Sequence, residues 1–269
     1  MIKYKTIQKK IDDMDMSKIL RDFCLSQRCE DYLVNLIFNF KVEGIFIDIG
    51  AHDGVRFSNS YSFSQIGWKG ICIEPHPEYY ELCYNNRENN NTKVLNIGCS
   101  NENNDSVTFY SNYRGSLSTL NENLNTFYKK NYNKYYVDKE YSKKINNFTN
   151  GPIKIKCCKL NTVIENYKKF LNNGNIDLIS IDVDGSEEYV LKGFDILKYK
   201  PRIIIFEVSV VRDIVEKYMK DKKYYKIYDN KLNAIYCRDY EDTVNFFKKL
   251  ERLRNKQIIA FDTGHPLGN

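Results

Sequence analysis

Short apolar runs alternate with amphipathic stretches along most of this chain. The apolar runs lie at 45–49, 70–73, 94–97, 176–181 and 203–206. The stretches between them that suit a helix include 58–65, 160–170, 187–197 and the segment opened by Pro77. Strands buried on both faces give near-continuous apolar runs, and their alternation with helices is typical of a parallel sheet. The pattern therefore predicts an α/β domain with helices on both faces of the sheet.

The two ends of the chain carry different patterns. Residues 1–41 place apolar side chains three and four apart, which predicts an N-terminal helical extension. Near the other end, 224–228 and 232–237 are strand-like and flank an Asp-Asn-Lys turn, which predicts an antiparallel hairpin. We expect a main domain over 42–240, with a C-terminal helix and tail over 241–269.

One segment, 111–150, breaks the α/β alternation. It is rich in Lys, Asn and Tyr and is interpreted as an insertion after the third strand, followed by an edge strand at 153–158. The Tyr-Lys run at 128–132 would suit base stacking and phosphate binding. A solvated loop or helix is the favoured interpretation, because the same residue types dominate the whole chain.

Composition and charge narrow the function classes only slightly. The chain has 269 residues, 42% of them hydrophobic, and a formal net charge of +6. It contains no apolar run long enough to cross a bilayer and no signal-peptide core, so a cytoplasmic location is expected. Its eight cysteines lack the paired spacing of a metal site and are expected to be reduced. A low-GC codon bias accounts for the lysines, so nucleic-acid binding is not favoured but is left open.

Polar residues with chemical potential cluster where the predicted strands end. Glu74, Asp182 and Glu207 each directly follow an apolar run, Asp48 lies near the end of the first run, and 96–100 overlaps the end of another. Ligands of parallel sheets bind at the carboxyl ends of the strands, near the point where strand order reverses. We therefore expect these residues to share one site.

The loop 48–54 is the predicted cofactor loop. Gly50 and Gly54 allow close backbone approach, but His52 stands where a dinucleotide fingerprint needs glycine. Asp48 and Asp53 would repel a pyrophosphate and would suit the ammonium and sulfonium groups of S-adenosylmethionine. The loop N–H groups are expected to meet the carboxylate of the same ligand.

Glu74, on the next predicted strand, is positioned to accept hydrogen bonds from both ribose hydroxyls. An acid at a helix start or a turn cap would be the structural alternative for Glu74 or Asp48. The predicted cofactor-binding residues are Asp48, Gly50, His52, Asp53, Gly54, Ser58, Glu74, Pro75, Ser100 and Asp182.

The second acidic cluster, 182–187, is the predicted acceptor loop, which would carry catalytic groups. Asp182, Asp184 and, from the next strand, Glu207 are assigned to orient or deprotonate an acceptor hydroxyl. Divalent-metal binding is the alternative role for these acids, and no metal ligand is assigned. Helix capping would explain Ser186 and Glu187, and Glu207 would alternatively pair with Arg202 or Lys200.

Several motifs in order resemble the FkbM family of S-adenosylmethionine-dependent methyltransferases. They occupy 46–54 (FIDIGAHDG), 58–60, 67–77, 86–87, 160–163, 179–187 (ISIDVDGSE) and 201–207. The resemblance implies a Rossmann-like class I methyltransferase fold, with a mostly parallel seven-stranded sheet and an oxygen acceptor on a small molecule, sugar or lipid. Two departures stand out: Asp184 replaces a common Glu, and His52 a frequent Asn.

Three alternative functions remain at this point. An RNA ribose methyltransferase would use the basic insertion, although its usual Lys-Asp-Lys-Glu tetrad is not evident. A catalytically inactive binding module would not need acids at every strand end. A nicotinamide enzyme is disfavoured by His52. The sequence leaves the acceptor and the oligomeric state open.

Overall fold

The computed structural model of the chain describes residues 24–111, 118–131 and 151–255. Its strands are β1 Ile45–Ile49, β2 Lys69–Ile73, β3 Thr92–Leu95, β4 Gly98–Cys99, β5 Asn104–Ser111, β6 Gly151–Cys158, β7 Leu178–Ile181, β8 Ile203–Glu207, β9 Tyr225–Asp229 and β10 Asn233–Cys237. Its α-helices are α1 Glu30–Ile37, α2 Tyr61–Gln65, α3 Pro77–Arg87, α4 Glu122–Asn131, α5 Leu160–Asn166, α6 Glu187–Lys192, α7 Ile196–Tyr199, α8 Arg212–Asp221 and α9 Tyr240–Asn255. The helix expected around residues 19–23 lies outside the described residues.

Seven strands form the main sheet in the order β3-β2-β1-β7-β8-β10-β9. Strand β10 is antiparallel to both of its neighbours, and the other pairs are parallel. This is the predicted mostly parallel sheet with an antiparallel C-terminal hairpin, so the class I methyltransferase fold is confirmed. Strand order reverses between β1 and β7, which brings the carboxyl ends of these strands together.

The sheet is buried on both faces, which explains the continuous apolar runs. Along β1, Ile45, Ile47 and Ile49 enter one hydrophobic core, while Phe46 points into the other. Helices α5, α6 and α8 cover the first face; α1, α2 and α9 cover the second. Alternate residues of one strand therefore serve different cores.

A second, three-stranded sheet has the order β4-β6-β5 and was not predicted. The segment expected to be an edge strand, 153–158, belongs to β6, the central strand of this sheet, so that expectation is wrong. Strand β6 alternates between buried and exposed side chains, because only one face of this sheet is covered. The predicted insertion begins inside the same sheet, since Ser111 is the last residue of β5.

Two predicted helices are shorter in the structure. Helix α5 ends at Asn166, and the 187–197 helix is divided into α6 and α7 around Gly193. Six of the eight cysteines are buried and all eight are free thiols. Within the described ranges, no helix combines the length and apolarity that a membrane span requires.

Candidate active site

A cavity of about 830 Å³ lies at the carboxyl edge of the main sheet. Its walls come from the loops after β1, β2, β7 and β8, the start of β10, the second sheet and residues 118–128. Nine of the twelve predicted site residues line it, namely Asp48, Gly50, His52, Ser58, Glu74, Pro75, Asp182, Asp184 and Glu207. The sheet order thus brings most of the predicted site into one volume.

Gly50 fixes the cofactor loop, residues 48–54, against the end of β7. Its φ is +83°, and a Cβ built there would lie 1.7 Å from the carbonyl oxygen of Asp182. The N–H groups of Gly50 and Ala51 donate to the Ile73 carbonyl at 2.9 and 3.1 Å. These two donors are therefore engaged within the protein rather than directed at the cavity.

Asp48 is buried and is held by two hydroxyl groups. Ser60 Oγ donates to its carboxylate at 2.6 Å and Ser58 Oγ at 3.2 Å. The Ser58 oxygen also accepts from the N–H of Tyr61 at 3.1 Å, which places it at the start of α2. Asp48 is therefore fixed in position rather than capping a turn itself.

Arg87, at the end of α3, provides a buried cation behind the cofactor loop. Its side chain is 2% exposed; Nη2 donates to Ser60 Oγ at 3.0 Å, and Nη1 to the Gly54 carbonyl at 2.6 Å. The guanidinium is thus one hydroxyl away from the Asp48 carboxylate and offsets its charge. No spacing rule identifies Arg87, because its partners are about 30 residues away in sequence.

The Glu74 carboxylate accepts the N–H groups of His52 and His76, each at 2.8 Å. Burial raises its pKa to about 8, against the lowering effect of these two bonds. Asn96 Nδ2 donates to the Glu74 carbonyl at 3.0 Å and so steadies the same turn. These bonds hold the Glu74 carboxyl group in one orientation, but its ionisation still carries the free energy cost of a buried charge.

His52 has a φ of 53°, in the left-handed region that Asn and His tolerate better than most residues. Because both Asn and His tolerate this conformation, His52 can occupy a position where Asn is frequent in the family. The imidazole stacks on Tyr79, with ring centroids 3.7 Å apart. A packing role is therefore evident for His52 beside any role toward a ligand.

Three predicted cofactor residues do not line the cavity. The Asp53 carboxylate accepts the N–H groups of Val55 and Arg56 at 2.9 and 2.8 Å. At Gly54 a Cβ would lie 2.6 Å from Arg87 Cγ, so this glycine permits helix packing. Ser100 Oγ donates to Asn101 at 3.1 Å. These residues shape the loop and its surroundings.

The acceptor loop, residues 182–187, brings carboxyl groups together. Ile181 and Phe206 are register partners on parallel strands, so Asp182 and Glu207 follow side by side and hydrogen-bond to each other. Enclosure by the cavity walls, with the facing Glu207, raises the pKa of Asp182 well above its usual range, although its side chain is open to the cavity. Burial likewise raises the pKa of Glu207 to about 7. Ser209 Oγ donates to Glu207 at 2.6 Å.

The neighbouring acids divide between the cavity and the loop. Asp184 lines the cavity with a φ of 48°, and burial raises its pKa well above the usual range. Glu187 is fully buried and accepts the N–H groups of Val183 and Gly185, which precede α6, so it holds the loop. Ser186 makes no side-chain cap bond to this helix, so the capping alternative for Ser186 is wrong. Arg202, the alternative partner for Glu207, instead binds Asp242 at 2.5 and 2.6 Å.

The roof segment, residues 118–131, closes one side of the cavity. Thr119 Oγ1 and Ser186 Oγ are 3.1 Å apart, and the Leu120 N–H donates to the same serine at 3.3 Å. Tyr128 is only 3% exposed and lines the cavity, so it is not part of an open stacking surface. The closing of the cavity by residues 118–131 was not predicted from the sequence, because it depends on contacts between segments some 66 residues apart.

Within the described residues, no group of three or more His, Cys, Asp or Glu side chains is arranged to hold a metal ion.

Comparison with known proteins gives one sequence match. The model of the methyltransferase FkbM domain matches residues 48–249. The chain matches no curated protein. Among solved structures, the methyltransferase domain of METTL16 is 10% identical, covers 78% of this chain and 67% of its own, and gives a TM-score of 0.42. Precorrin-6y C5,15-methyltransferase from Geobacter metallireducens is 9% identical, with coverages of 81% and 91% and a TM-score of 0.38.

Proposed function

Because this chain belongs to the FkbM family of methyltransferases, we propose that it transfers the methyl group of S-adenosylmethionine to a hydroxyl oxygen of a small molecule, sugar or lipid. Family membership supports S-adenosylmethionine as the methyl donor. The observation that carries the proposal is the line of carboxyl groups along one cavity, from Glu74 directly after β2 to Glu207 at the end of β8. Donor-binding and acceptor-binding groups thereby lie on opposite sides of the strand-order reversal.

The residues on the β1–β2 side fit the donor. Gly50 lets this loop pack directly against the Asp182 carbonyl, and Asp48 and Glu74 offer carboxylates to an ammonium group and to ribose hydroxyls. His52, Ser58 and Pro75 complete this wall. Arg56 lines the same cavity and is a suitable partner for the carboxylate of the donor, since the loop N–H groups are engaged elsewhere.

The residues on the β7–β8 side fit the reaction. Bound S-adenosylmethionine supplies an electrophilic methyl group on a sulfonium, which the acceptor oxygen displaces in line. Asp182 and Glu207 hold the hydroxyl and receive its proton, and the pKa of about 7 leaves Glu207 able to accept it near neutral pH. Asp184 helps to orient the acceptor. Alignment of the reacting atoms supplies the rest of the acceleration.

Replacement of one carboxylate tests this assignment. In Asp182→Asn, turnover should fall well over tenfold, because an amide cannot share with Glu207 the proton that the carboxyl pair receives, whereas donor binding by calorimetry should persist. A screen of sugars, lipids and small alcohols with S-adenosylmethionine supplies the acceptor. Asp105→Asn, at a residue whose side chain is 86% exposed, is the matched control. Near-normal turnover in Asp182→Asn would sink the assignment.

A further inference from the structure

Three large apolar side chains are half exposed along the cavity. Phe57 is 48% exposed, Phe127 49% and Val210 45%, and all three line the cavity. They come from the loop after β1, from α4 and from the loop after β8. A side chain that both lines a cavity and contacts solvent lies where the cavity opens. Phe57, Phe127 and Val210 therefore form an apolar rim at this opening. Apolar groups at such an opening mark binding surfaces more often than chance exposure.

The position of Phe127 is built by the fold. The roof segment that carries it is tied to Ser186, and Leu124 packs where Gly185 leaves room: a Cβ at Gly185 would lie 2.2 Å from Leu124 Cδ1. The same Cβ would lie 3.5 Å from Val210 Cγ1. Leu124 and Val210 are thus neighbours over the acceptor loop, and the apolar rim continues directly into the candidate catalytic groups.

Phe57 is held in a costly backbone conformation. Its φ is 58°, which a bulky aromatic residue rarely adopts, and the Arg56 guanidinium lies 4.3 Å from its ring centroid. A backbone bridge to Ser26 fixes the strand of chain that presents it. Strain of this kind persists where the surrounding structure enforces it and is concentrated at functional sites.

The charges below this rim disfavour an anion. Of the cavity-lining residues that the structure describes, five carry carboxyl groups and one, Arg56, carries a guanidinium. In the proposed function the donor's ammonium and sulfonium meet part of this charge, and its carboxylate occupies Arg56. The carboxyl groups of Asp182, Asp184 and Glu207 then face the acceptor. Their proximity keeps part of this cluster protonated, but an ionised member would repel a phosphate or carboxylate beside the reacting hydroxyl, and no other lysine or arginine among the described lining residues would balance that anion.

We propose that the acceptor is an uncharged amphipathic alcohol, with its hydroxyl between Asp182 and Glu207 and its apolar body against Phe57, Phe127 and Val210. This inference rests on the proposed function and narrows its substrate class. It disfavours RNA and phosphorylated acceptors, because the carboxyl groups facing the acceptor disfavour phosphates and the apolar rim favours an uncharged, apolar body. A nucleic acid needs the opposite arrangement of charge.

Three probes separate the two halves of the inference. Protein loaded with S-adenosylhomocysteine is titrated with n-octyl glucoside, methyl glucoside and n-octyl phosphate, below any micelle-forming concentration. The octyl glucoside should bind about tenfold more tightly than methyl glucoside, since it adds apolar contact area. It should also bind more tightly than octyl phosphate, which shares the chain but carries negative charge.

Matched variants locate the effect. Phe127→Ala should remove most of the advantage of octyl glucoside over methyl glucoside and leave S-adenosylhomocysteine affinity unchanged. Phe247→Ala is the control, because Phe247 is also 49% exposed but lies on α9, away from the cavity. A Phe127→Ala protein with an unchanged preference would contradict the apolar half of the inference.

The remaining outcomes are equally decisive. Octyl phosphate binding as tightly as octyl glucoside would overturn the charge half, and failure of all three probes to bind the loaded protein would overturn the inference as a whole. Failure to bind S-adenosylhomocysteine would instead count against the proposed function itself, so the two failures are distinguishable.

Discussion

The cofactor loop and the acceptor loop follow neighbouring strands but place different partners around their carboxyl groups. In the cofactor loop, Asp48 is held by Ser58 and Ser60, with Arg87 behind them. In the acceptor loop, Asp182 faces Glu207, so that one acid is the hydrogen-bond partner of another. The first arrangement fixes a carboxylate in one orientation. The second makes it costly for both carboxyl groups to be charged at once.

The difference suits the two tasks proposed for these loops. A donor site benefits from groups that are in place before the ligand arrives, because no ordering cost then accompanies binding. An acceptor site benefits from a group whose pKa is near the working pH, because such a group both accepts and releases a proton. The same sheet edge thus supports a rigid binding loop and a titratable one.

The largest expected effect comes from the contact between the two loops. In Gly50→Ala, the new methyl group would clash with the Asp182 carbonyl, and a φ of +83° would add backbone strain. We expect S-adenosylmethionine affinity to fall about a hundredfold or more, together with a lower Tm. Calorimetry and thermal unfolding measure both.

Gly151→Ala is the control for that variant, because Gly151 has a φ of +109° but nothing within 4 Å of its built Cβ. It should show the strain without the clash and bind the donor normally. Equal behaviour of the two variants would mean that strain, rather than contact between the loops, determines donor binding.

A smaller effect is expected at Glu74. In Glu74→Gln, the single amide oxygen cannot replace both carboxylate oxygens toward the N–H groups of His52 and His76. Donor affinity should fall about tenfold to a hundredfold, as for a lost hydrogen bond to a charged group, with kcat little changed. Glu102→Gln, at an exposed residue, should leave both unaffected. A fall in kcat with unchanged affinity would place Glu74 in the reaction instead.

The smallest expected effect is a pH dependence of donor binding. Burial raises the pKa of Glu74 to about 8 and that of Glu207 to about 7, so the ligand-free fold binds more protons than the unfolded chain. Its stability should therefore fall as pH rises from about 4.5 to 8. A positively charged donor favours the ionised acids, so its affinity should be several-fold higher at pH 8 than at pH 6.

Isothermal titration at the two pH values measures this, and Glu74→Gln should flatten the slope. Tighter binding at pH 6 would mean that protonated carboxyl groups hold the donor.

Much of the fold followed from local pattern, and the exceptions have physical causes. The runs that became β1, β7 and β8 are strands buried on both faces, and a continuous apolar run marks such strands clearly in a sequence. The second sheet was missed because β6 alternates and its partners β4 and β5 are distant or short. Pairing of that kind depends on contacts that no local rule encodes.

The candidate site divides in the same way. Residue type and strand-end position pointed to Asp48, Glu74 and Glu207, because parallel strands bring their carboxyl ends to one edge. Arg87 and Phe127 had no such marker. Their roles depend on which helix packs beside which loop.

By itself, then, the sequence determined the strands of the main sheet, their direction and the edge at which the acids gather, because apolar periodicity and chain connectivity act locally. Only the tertiary structure decided how each acid is treated: Asp48 is bound by hydroxyl groups, whereas Asp182 faces Glu207. The free energy of a carboxylate depends on burial and on partners within a few ångströms. Those partners come from segments far apart along the chain.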